Sequence, residues 1–349
     1  MPESAAAHVP LAEVLRGNAV ESIHFGAVAV VDRLGRVLHC AGDPYTLTFT
    51  RSSLKPLQAL PFTADGGVER FGFSTAQVAL MCASHSGEPR HVDGVADMLA
   101  RCQCSATDLQ CGTHAPGFYD ARGDVPPPPP YSTLSHNCSG KHGGMLAYCV
   151  LHGHSTGDYL AYEHPLQQAV RRAVAAFTGV SEDRLVAGTD GCSAPNYAVP
   201  LASLATAFAR LATADVDPDY GRAPRTLADA MIAHPEMVSG EHRSDLALMQ
   251  AGRGDWVTKI GAEGVQAIGI RSRGLGIAIK VADGRKRGLY PAIVAVLEQL
   301  GVVDTAARQM LAPWARRTVR NYRGTATGEI RPAVVLDARR PQRSALSDA

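Results

Sequence analysis

The first part of the chain contains two apolar runs that are separated by a short polar turn. Both runs lie within residues 24–41, and the segment Asp32–Gly35 stands between them. Apolar runs on either side of a glycine-bearing turn are typical of a β-hairpin. Residues 45–49 alternate large side chains with threonine, which predicts one further short strand. The chain is therefore expected to begin with antiparallel strands.

From Ser52 onward, the apolar positions recur every three or four residues, as they do in amphipathic helices. The predicted helices are 53–62, 75–84, 90–101, 141–152, 164–178, 200–213, 224–233 and 244–251. Further strands are predicted at 256–260, 265–270 and 275–282, followed by a helix at 291–300. Alternating strand–helix units are missing, which disfavours a doubly wound parallel sheet.

The order of these elements predicts an α/β fold of the α+β kind, in which helices flank an antiparallel sheet. A single unit is expected over residues 21–331, with its sheet drawn from 21–50 and 254–283 and a mainly helical region at 51–253. The two ends, 1–20 and 332–349, are expected to be tails.

The composition fits a globular protein with a sizeable core, at 46% hydrophobic and 19% charged residues. The net charge of +1 carries no long run of one sign, which argues against nucleic acid or a membrane surface as an obligatory partner. No apolar stretch reaches the roughly 18 residues of a membrane span, and no signal peptide is recognisable. We therefore expect a cytoplasmic protein whose eight cysteines are free thiols or ligands.

Lysine is scarce in this chain. Of 34 basic residues only five are lysines, and the rest are arginines. An amine can lose its proton inside a protein, whereas a guanidinium effectively cannot. Three of the five, Lys55, Lys141 and Lys259, fall within short patterns that indicate chemistry.

The first pattern is Ser-x-x-Lys at Ser52 and Lys55. If Ser52 lies in the first turn of a helix, Lys55 lies one turn further on the same face. A neutral lysine there could take the serine proton, and the helix N-terminus offers backbone N–H groups to an oxyanion. Pro56 fits a helix only in its first turn, which agrees with this start. So short a pattern also arises by chance on a solvated helix face, but the scarcity of lysine weakens that interpretation.

A second lysine pattern, Lys259-Ile260-Gly261, lies on a predicted strand and resembles the K-T-G motif of serine β-lactamases and penicillin-binding proteins. Ser84 stands between the two patterns, at the place of the S-D-N motif in those enzymes. The surrounding residues differ, because His85 and Ser86 stand where Asp and Asn are usual. A penicillin-binding role is therefore disfavoured, although the serine–lysine chemistry carries over.

A third group combines thiols with polar ligands at Cys138, Lys141, Asp190 and Cys192. Two thiolates and a carboxylate suit zinc, with a neutral lysine or a water as the fourth ligand. His136 and His142 are alternative ligands of a more usual type. The competing interpretation is two buried cysteines that pack as small hydrophobic side chains, with Asp190 capping a turn.

Taken together, these segments resemble one family, the bacterial thermolabile, rhizobial-type L-asparaginases, also called asparaginase II. The resemblance runs from about residue 22 to 331. The blocks that carry it are Arg51–Pro56, Ser84–Glu88, Ser135–His142, Gly188–Ser193, Met237–Gly240 with Arg243, Lys259–Gly264 and Asn321–Gly324.

The resemblance implies a serine β-lactamase/glutaminase-like fold and a serine amidohydrolase that converts L-asparagine to L-aspartate and ammonia. It implies two serine–lysine pairs, Ser52 with Lys55 and Ser84 with Lys259. It also implies a homodimer.

The same resemblance implies a Zn²⁺ ion on Cys138, Lys141, Asp190 and Cys192. No pattern in the chain offers an open catalytic metal position together with a general base. Zinc is therefore expected to organise the site or tune substrate affinity.

Substrate recognition leaves several residues open. Arg51 or Arg243 could meet the α-carboxylate of asparagine, and Glu88 or Asp245 its α-ammonium group. The competing functions are a glutaminase or broader ω-amidase with the same serine chemistry, a zinc-dependent amidase, and a penicillin-recognising protein without turnover.

Overall fold

The structure is a computed structural model that describes residues 7–338. The strands within that range are β1 (Val9–Arg16), β2 (Ala19–Asp32), β3 (Val37–Ala41), β4 (Leu47–Phe49), β5 (Val186–Thr189), β6 (Pro195–Pro200), β7 (Trp256–Gly261), β8 (Val265–Ile270), β9 (Leu275–Val281), β10 (Arg317–Arg320), β11 (Ala326–Pro332) and β12 (Asp337–Ala338). The α-helices are α1 (Lys55–Ala64), α2 (Gly67–Phe71), α3 (Thr75–Met81), α4 (Pro89–Arg101), α5 (Gly117–Arg122), α6 (Ser139–His152), α7 (Pro165–Thr178), α8 (Leu201–Thr213), α9 (Ala223–Ala233), α10 (Pro235–Val238), α11 (Ser244–Gly252), α12 (Lys286–Gln299) and α13 (Thr305–Ala315).

The main sheet runs in the order β10-β11-β1-β2-β9-β8-β7, and every pair in it is antiparallel. Strand β3 also pairs with β2, through the predicted hairpin, and β12 pairs with β3. The predicted antiparallel sheet built from both ends of the chain, with a helical middle, is therefore confirmed. No helix within residues 7–338 is both long and apolar enough to cross a membrane.

The central strands of the sheet are buried on both faces. Along β2, Ala27, Ala29 and Val31 join the core that the helical middle of the chain provides. The alternate residues, Val28 and Val30, join a second core with α12 and α13. Because successive side chains of a strand point to opposite faces, one strand contributes to both cores.

Residues 9–20 form sheet rather than the predicted N-terminal tail. Strand β1 lies between β2 and β11. Its pairing with β2 shifts register between Pro10 and Ala12 and again between Val14 and Leu15. Such irregularities break the alternation of apolar and polar positions by which a strand is recognised.

The predicted C-terminal tail, 332–349, is also partly wrong. Val334 is buried and β12 pairs with β3, so residues 332–338 belong to the folded unit. The remainder, 339–349, lies outside the described residues. The mainly helical region 51–253 also contains a small sheet in the order β4-β6-β5. Strand β6 pairs on both sides and is almost wholly buried, so it shows no alternation.

Candidate active site

Lys55 is the first residue of α1 and is only 1% exposed. Its Nζ donates to the Ser84 hydroxyl at 2.9 Å and to the carbonyl oxygens of Ala83 and Asn137. Pro56 follows in the first turn of α1, as predicted, where its missing N–H is not needed. The start of α1 therefore fixes a buried amine against a serine hydroxyl.

Ser52 lies in the 3₁₀ turn Arg51–Leu54 that leads into α1. Its neighbour Arg51 has a φ of +49°, a conformation that non-glycine residues seldom adopt and that is concentrated at functional sites. Ser52 is half-buried, and its hydroxyl forms no hydrogen bond within residues 7–338. In this structure Lys55 is therefore bonded to Ser84, not to its predicted partner Ser52.

Lys259 lies on β7 and is completely buried. Its Nζ donates to the carbonyl of Ile260 at 2.8 Å and lies 3.5 Å from Asp245 Oδ2. Burial lowers the pKa of Lys259 to about 8; the charge of Asp245 opposes this shift, and that of Lys55 adds to it. A buried amine that titrates this close to neutrality is a candidate for proton transfer.

Asp245, at the start of α11, is the fully buried partner of this amine. It accepts hydrogen bonds from the Thr258 hydroxyl, the Ile260 backbone N–H and the Gln266 side chain, at 2.9–3.0 Å. A carboxylate so fully engaged holds α11 to β7 and β8. The sequence suggested Asp245 only as a partner for the substrate ammonium group. Its role in orienting Lys259 was not predicted.

Ser84 follows α3, and its backbone N–H donates to the carbonyl of Val238. The next residue, His85, is fully buried; its Nε2 lies 2.9 Å from the Ser139 hydroxyl, and its Nδ1 accepts from the Gly87 N–H. Burial holds the pKa of His85 well below its ordinary value. The neutral imidazole of His85 thus connects the loop that carries Ser84 to α6. The sequence motif did not reveal this role.

Three of the four predicted metal ligands come together near the start of α6. Lys141 Nζ lies 2.8 Å from Cys192 Sγ, and hydrogen bonding with Cys192 holds the pKa of the Cys138 thiol well below its usual range. Burial would lower the pKa of Lys141, but these two thiols raise it to about 12. Two cysteine sulfurs packed against an ammonium group form a donor set that can exchange its protons for a metal ion.

Asp190, the fourth predicted ligand, is held by Arg51 instead. Arg51 Nε donates to Asp190 Oδ1 at 2.8 Å, and the N–H of Gly191 donates to the same oxygen. Burial opposes ionisation of Asp190, but the charge of Lys141 and the bond from Arg51 lower its pKa. Among residues 7–338 no three His, Cys, Asp or Glu side chains are grouped closely enough to hold a metal ion, so a site here depends on the amine of Lys141.

The two alternative histidine ligands differ in their surroundings. His136 Nδ1 accepts from the backbone N–H of Cys138. His142 Nδ1 lies 2.7 Å from the hydroxyl of Tyr159, while its Nε2 is buried without a hydrogen-bond partner in the described chain. Burial lowers the pKa of both imidazoles to about 4, so both rings are neutral.

The residues predicted to bind substrate each have protein neighbours of their own in the structure. Glu88 is buried and accepts from the Ser86 hydroxyl and the Glu241 N–H, so it anchors the loop after α10. Arg243 belongs to that same loop and faces a separate cavity. Arg51 is engaged by Asp190, as described above.

A family model described as L-asparaginase II matches residues 12–332. The chain belongs to the L-asparaginase II family. It is accordingly an amidohydrolase, and the resemblance drawn from the sequence blocks is confirmed. No curated protein matches the chain.

Two solved structures share features with this L-asparaginase II family member. A β-lactamase from Mycobacterium bovis is 19% identical, with a TM-score of 0.42 over 78% of this chain and 94% of that chain. A Bacteroides dorei protein assigned to the β-lactamases is 13% identical, with a TM-score of 0.41 over 78% and 93% of the two chains.

Proposed function

We propose that this L-asparaginase II family member hydrolyses L-asparagine to L-aspartate and ammonia with Ser52 as the nucleophile. The observation that carries the proposal is the buried cluster of two amines and a serine hydroxyl at the start of α1, where the turn that carries Ser52 ends. Lys55 contacts Ser84, and the charge of Lys55 helps to lower the pKa of Lys259. Such a cluster can accept and return a proton, which acyl transfer requires.

In the proposed reaction, Ser52 attacks the side-chain amide carbon of asparagine. Ser52 stands at the N-terminal turn before α1, where backbone N–H groups can stabilise the oxyanion. Lys55 receives the serine proton, and Ser84, bonded to Lys55, relays a proton to the leaving ammonia. Lys259 tunes this relay, and water then hydrolyses the aspartyl ester.

The test is ammonia release from L-asparagine and, separately, from L-glutamine by the purified protein. We expect kcat/KM to be higher for asparagine. A higher value for glutamine would identify a glutaminase that uses the same chemistry. No ammonia from either substrate would contradict an amidohydrolase role for this site.

The nucleophile is tested by rapid quenching of the asparagine reaction, followed by mass spectrometry of the peptide that contains Ser52. We expect one aspartyl group on Ser52, and none in Ser52→Ala. Ser53→Ala is the matched control, because the Ser53 hydroxyl is buried and donates to the carbonyl of Thr50. An aspartyl group found on Ser84 instead would reassign the nucleophile.

The zinc site is part of the same proposal, with Cys138, Lys141 and Cys192 as ligands and Asp190 beside them. When bound, the ion would supply a positive charge and hold the start of α6 against the loop that carries Cys192. Within the protein, Arg51 orients Asp190, and the cluster borders the carbonyl of Asn137 that Lys55 contacts.

Chelation tests the role of this ion. Dialysis against a chelator, with zinc measured by elemental analysis, is expected to raise KM for asparagine and to leave most of kcat. Complete loss of kcat with the fold intact would favour a zinc-dependent amidase. Absence of zinc from protein produced in zinc-supplemented medium would contradict the site. The proposed homodimer is tested by light scattering on the same sample.

A further inference from the structure

A cavity of about 720 Å³ lies beside the loop that carries Arg243. Its wall is built from α5, the loop before α11, α11 itself, the first turns of α12, the end of α13 and the start of β10. None of Ser52, Lys55, Ser84 or Lys259 belongs to this wall. The proposed reaction therefore does not account for the cavity.

Three cations in the wall form no close ion pair within residues 7–338. Arg243, Lys286 and Arg317 line the cavity, and none of these side chains forms a hydrogen bond or ion pair with another residue in the range 7–338. Partial desolvation lowers the pKa of Lys286, and the nearby charge of Arg243 lowers it further, while Asp120 opposes the shift. Unpaired cations that converge on a recess favour an anionic ligand.

The acidic side chains of the wall do not cancel this charge. Glu241 is already paired with Arg90, at 3.1 Å. Asp120 is the remaining carboxylate, and it interacts with Lys286 only through space. The wall also holds Arg287, which donates to His24 and keeps its own positive charge. The cavity therefore has a surplus of positive charge.

One side of the cavity is aromatic. Tyr290 and Trp314 meet edge to face with their ring centroids 4.8 Å apart, and both rings line the space. Trp314 is only partly buried. An aromatic surface beside guanidinium groups suits a ligand that carries a flat ring as well as an anionic group.

We propose that this cavity is a second ligand site, which binds a small organic anion with a phosphate or carboxylate group attached to a flat ring. Arg317 and Lys286 hold the anionic group, and Tyr290 and Trp314 contact the ring. Arg243 connects the two sites. It lines the cavity, and its loop is held by Glu88, close to the Ser84 segment.

Binding is measured by the fluorescence of Trp314. The chain has two tryptophans, and the other, Trp256, is buried elsewhere. Adenosine monophosphate is titrated into the full-length protein, and benzoate, adenosine and inorganic phosphate are titrated in parallel. We expect a saturable change with adenosine monophosphate, weaker binding of benzoate, and at least tenfold weaker binding of adenosine and of phosphate alone. Trp314→Phe should abolish the signal.

The variant Lys286→Ala/Arg317→Ala is expected to weaken adenosine monophosphate binding at least tenfold. Arg308→Ala is the matched control, because Arg308 lies on α13 but is paired with Glu298 outside the cavity. Circular dichroism checks that each variant is folded. Equal affinity in the double variant and the control, or no saturable change with either adenosine monophosphate or benzoate, would overturn the proposal. Displacement of the nucleotide by L-aspartate would also overturn it, since the cavity would then be part of the substrate site.

Discussion

Lys55 and Lys259 are both buried, yet their neighbours differ. Lys55 is surrounded by a hydroxyl and carbonyl oxygens, whereas Lys259 lies beside the carboxylate of Asp245. When one partner of a buried ion pair loses its charge, the charge of the other partner is left without compensation. The two amines are therefore suited to different tasks: Lys55 contacts the Ser84 hydroxyl of the proposed relay, and Lys259, whose pKa is about 8, can exchange a proton near neutrality.

Lys55→Arg is expected to lower kcat/KM for asparagine by about 10²–10⁴-fold, because arginine keeps the charge but cannot act as a base. The measurement is steady-state ammonia release, with the melting temperature recorded for each variant. Lys280→Arg is the control, since Lys280 belongs to the central strand β9 and its ammonium group donates to the Glu263 carbonyl. Near wild-type turnover in Lys55→Arg would refute a general-base role.

The pH profile follows from Lys259. Its pKa of about 8 means that the neutral amine increases as the pH rises through 8, and kcat/KM is expected to rise with it. The charge of Asp245 raises this pKa, so Asp245→Asn should move the inflection to lower pH. A profile whose inflection does not move in Asp245→Asn would contradict the assignment.

The same shift affects the stability of the fold. The folded pKa of Lys259 lies below its ordinary value of 10.5, so between about pH 8 and 10.5 the unfolded chain binds more protons. The contribution of Lys259 to the free energy of unfolding therefore rises with pH across this window. Denaturant unfolding at several pH values, compared with Lys259→Met, isolates that contribution.

At the scale of elements, α8 packs unusually close to the sheet. A Cβ atom placed on Gly276 of β9 would lie 1.9 Å from the carbonyl oxygen of Ala205, and one on Gly269 of β8 would lie 2.3 Å from that of Phe208. The neighbouring positions on this face are also small, including Ala267 and Ala278. Small residues on two adjacent strands thus allow the helix backbone to approach the sheet.

Gly276→Ala is expected to destabilise the protein by about 3 kcal/mol, the upper end of the usual cost of overpacking, because the contact is with the backbone. Gly157→Ala is the control, since its nearest neighbour would be the Ser155 hydroxyl at 3.7 Å. Both variants are compared by chemical denaturation. A loss below about 0.5 kcal/mol in Gly276→Ala would show that α8 can move away without cost.

The elements with regular apolar spacing were predictable from the sequence. Strand β8 was predicted with its observed limits, and the helix predicted at 164–178 is α7. The elements that were not predicted are those without a regular alternation of apolar and polar residues, such as β1 with its two register shifts and the almost wholly buried β6. In the site, Lys55, Ser84 and the cysteines could be recognised from their residue types and spacing. Which of these side chains contact one another could not, because that depends on loop geometry, which the apolar period does not encode.

At the scale of the whole molecule, the N-terminal strand joins the layers. Leu11 of β1 is completely buried in the core that the sheet forms with α12 and α13. Strand β1 pairs with β2 on one side and with β11 on the other. Residues once expected to be a tail therefore hold the C-terminal part of the sheet in place.

Leu11→Ala is expected to lower the free energy of unfolding by about 2–5 kcal/mol, the cost of a cavity in a well-packed core. Leu34→Ala, at the exposed hairpin turn, is the control and should change it by less than about 0.5 kcal/mol. Unfolding in urea measures both. Equal midpoints for the two variants would mean that β1 contributes little to the fold.

Strand β2 lies beside β9, with Gly26 opposite Val281. Two strands that pair in the sheet are therefore far apart in the chain. During synthesis, one edge of β2 stays unpaired until β9 has been made, although its other edge can already pair with β1 and β3. Contacts between such distant segments form slowly, and unpaired strand edges invite association with other chains. The yield of active protein should thus depend on how well the unfinished chain is protected from association with other chains. Slower synthesis alone would not help the chain to fold.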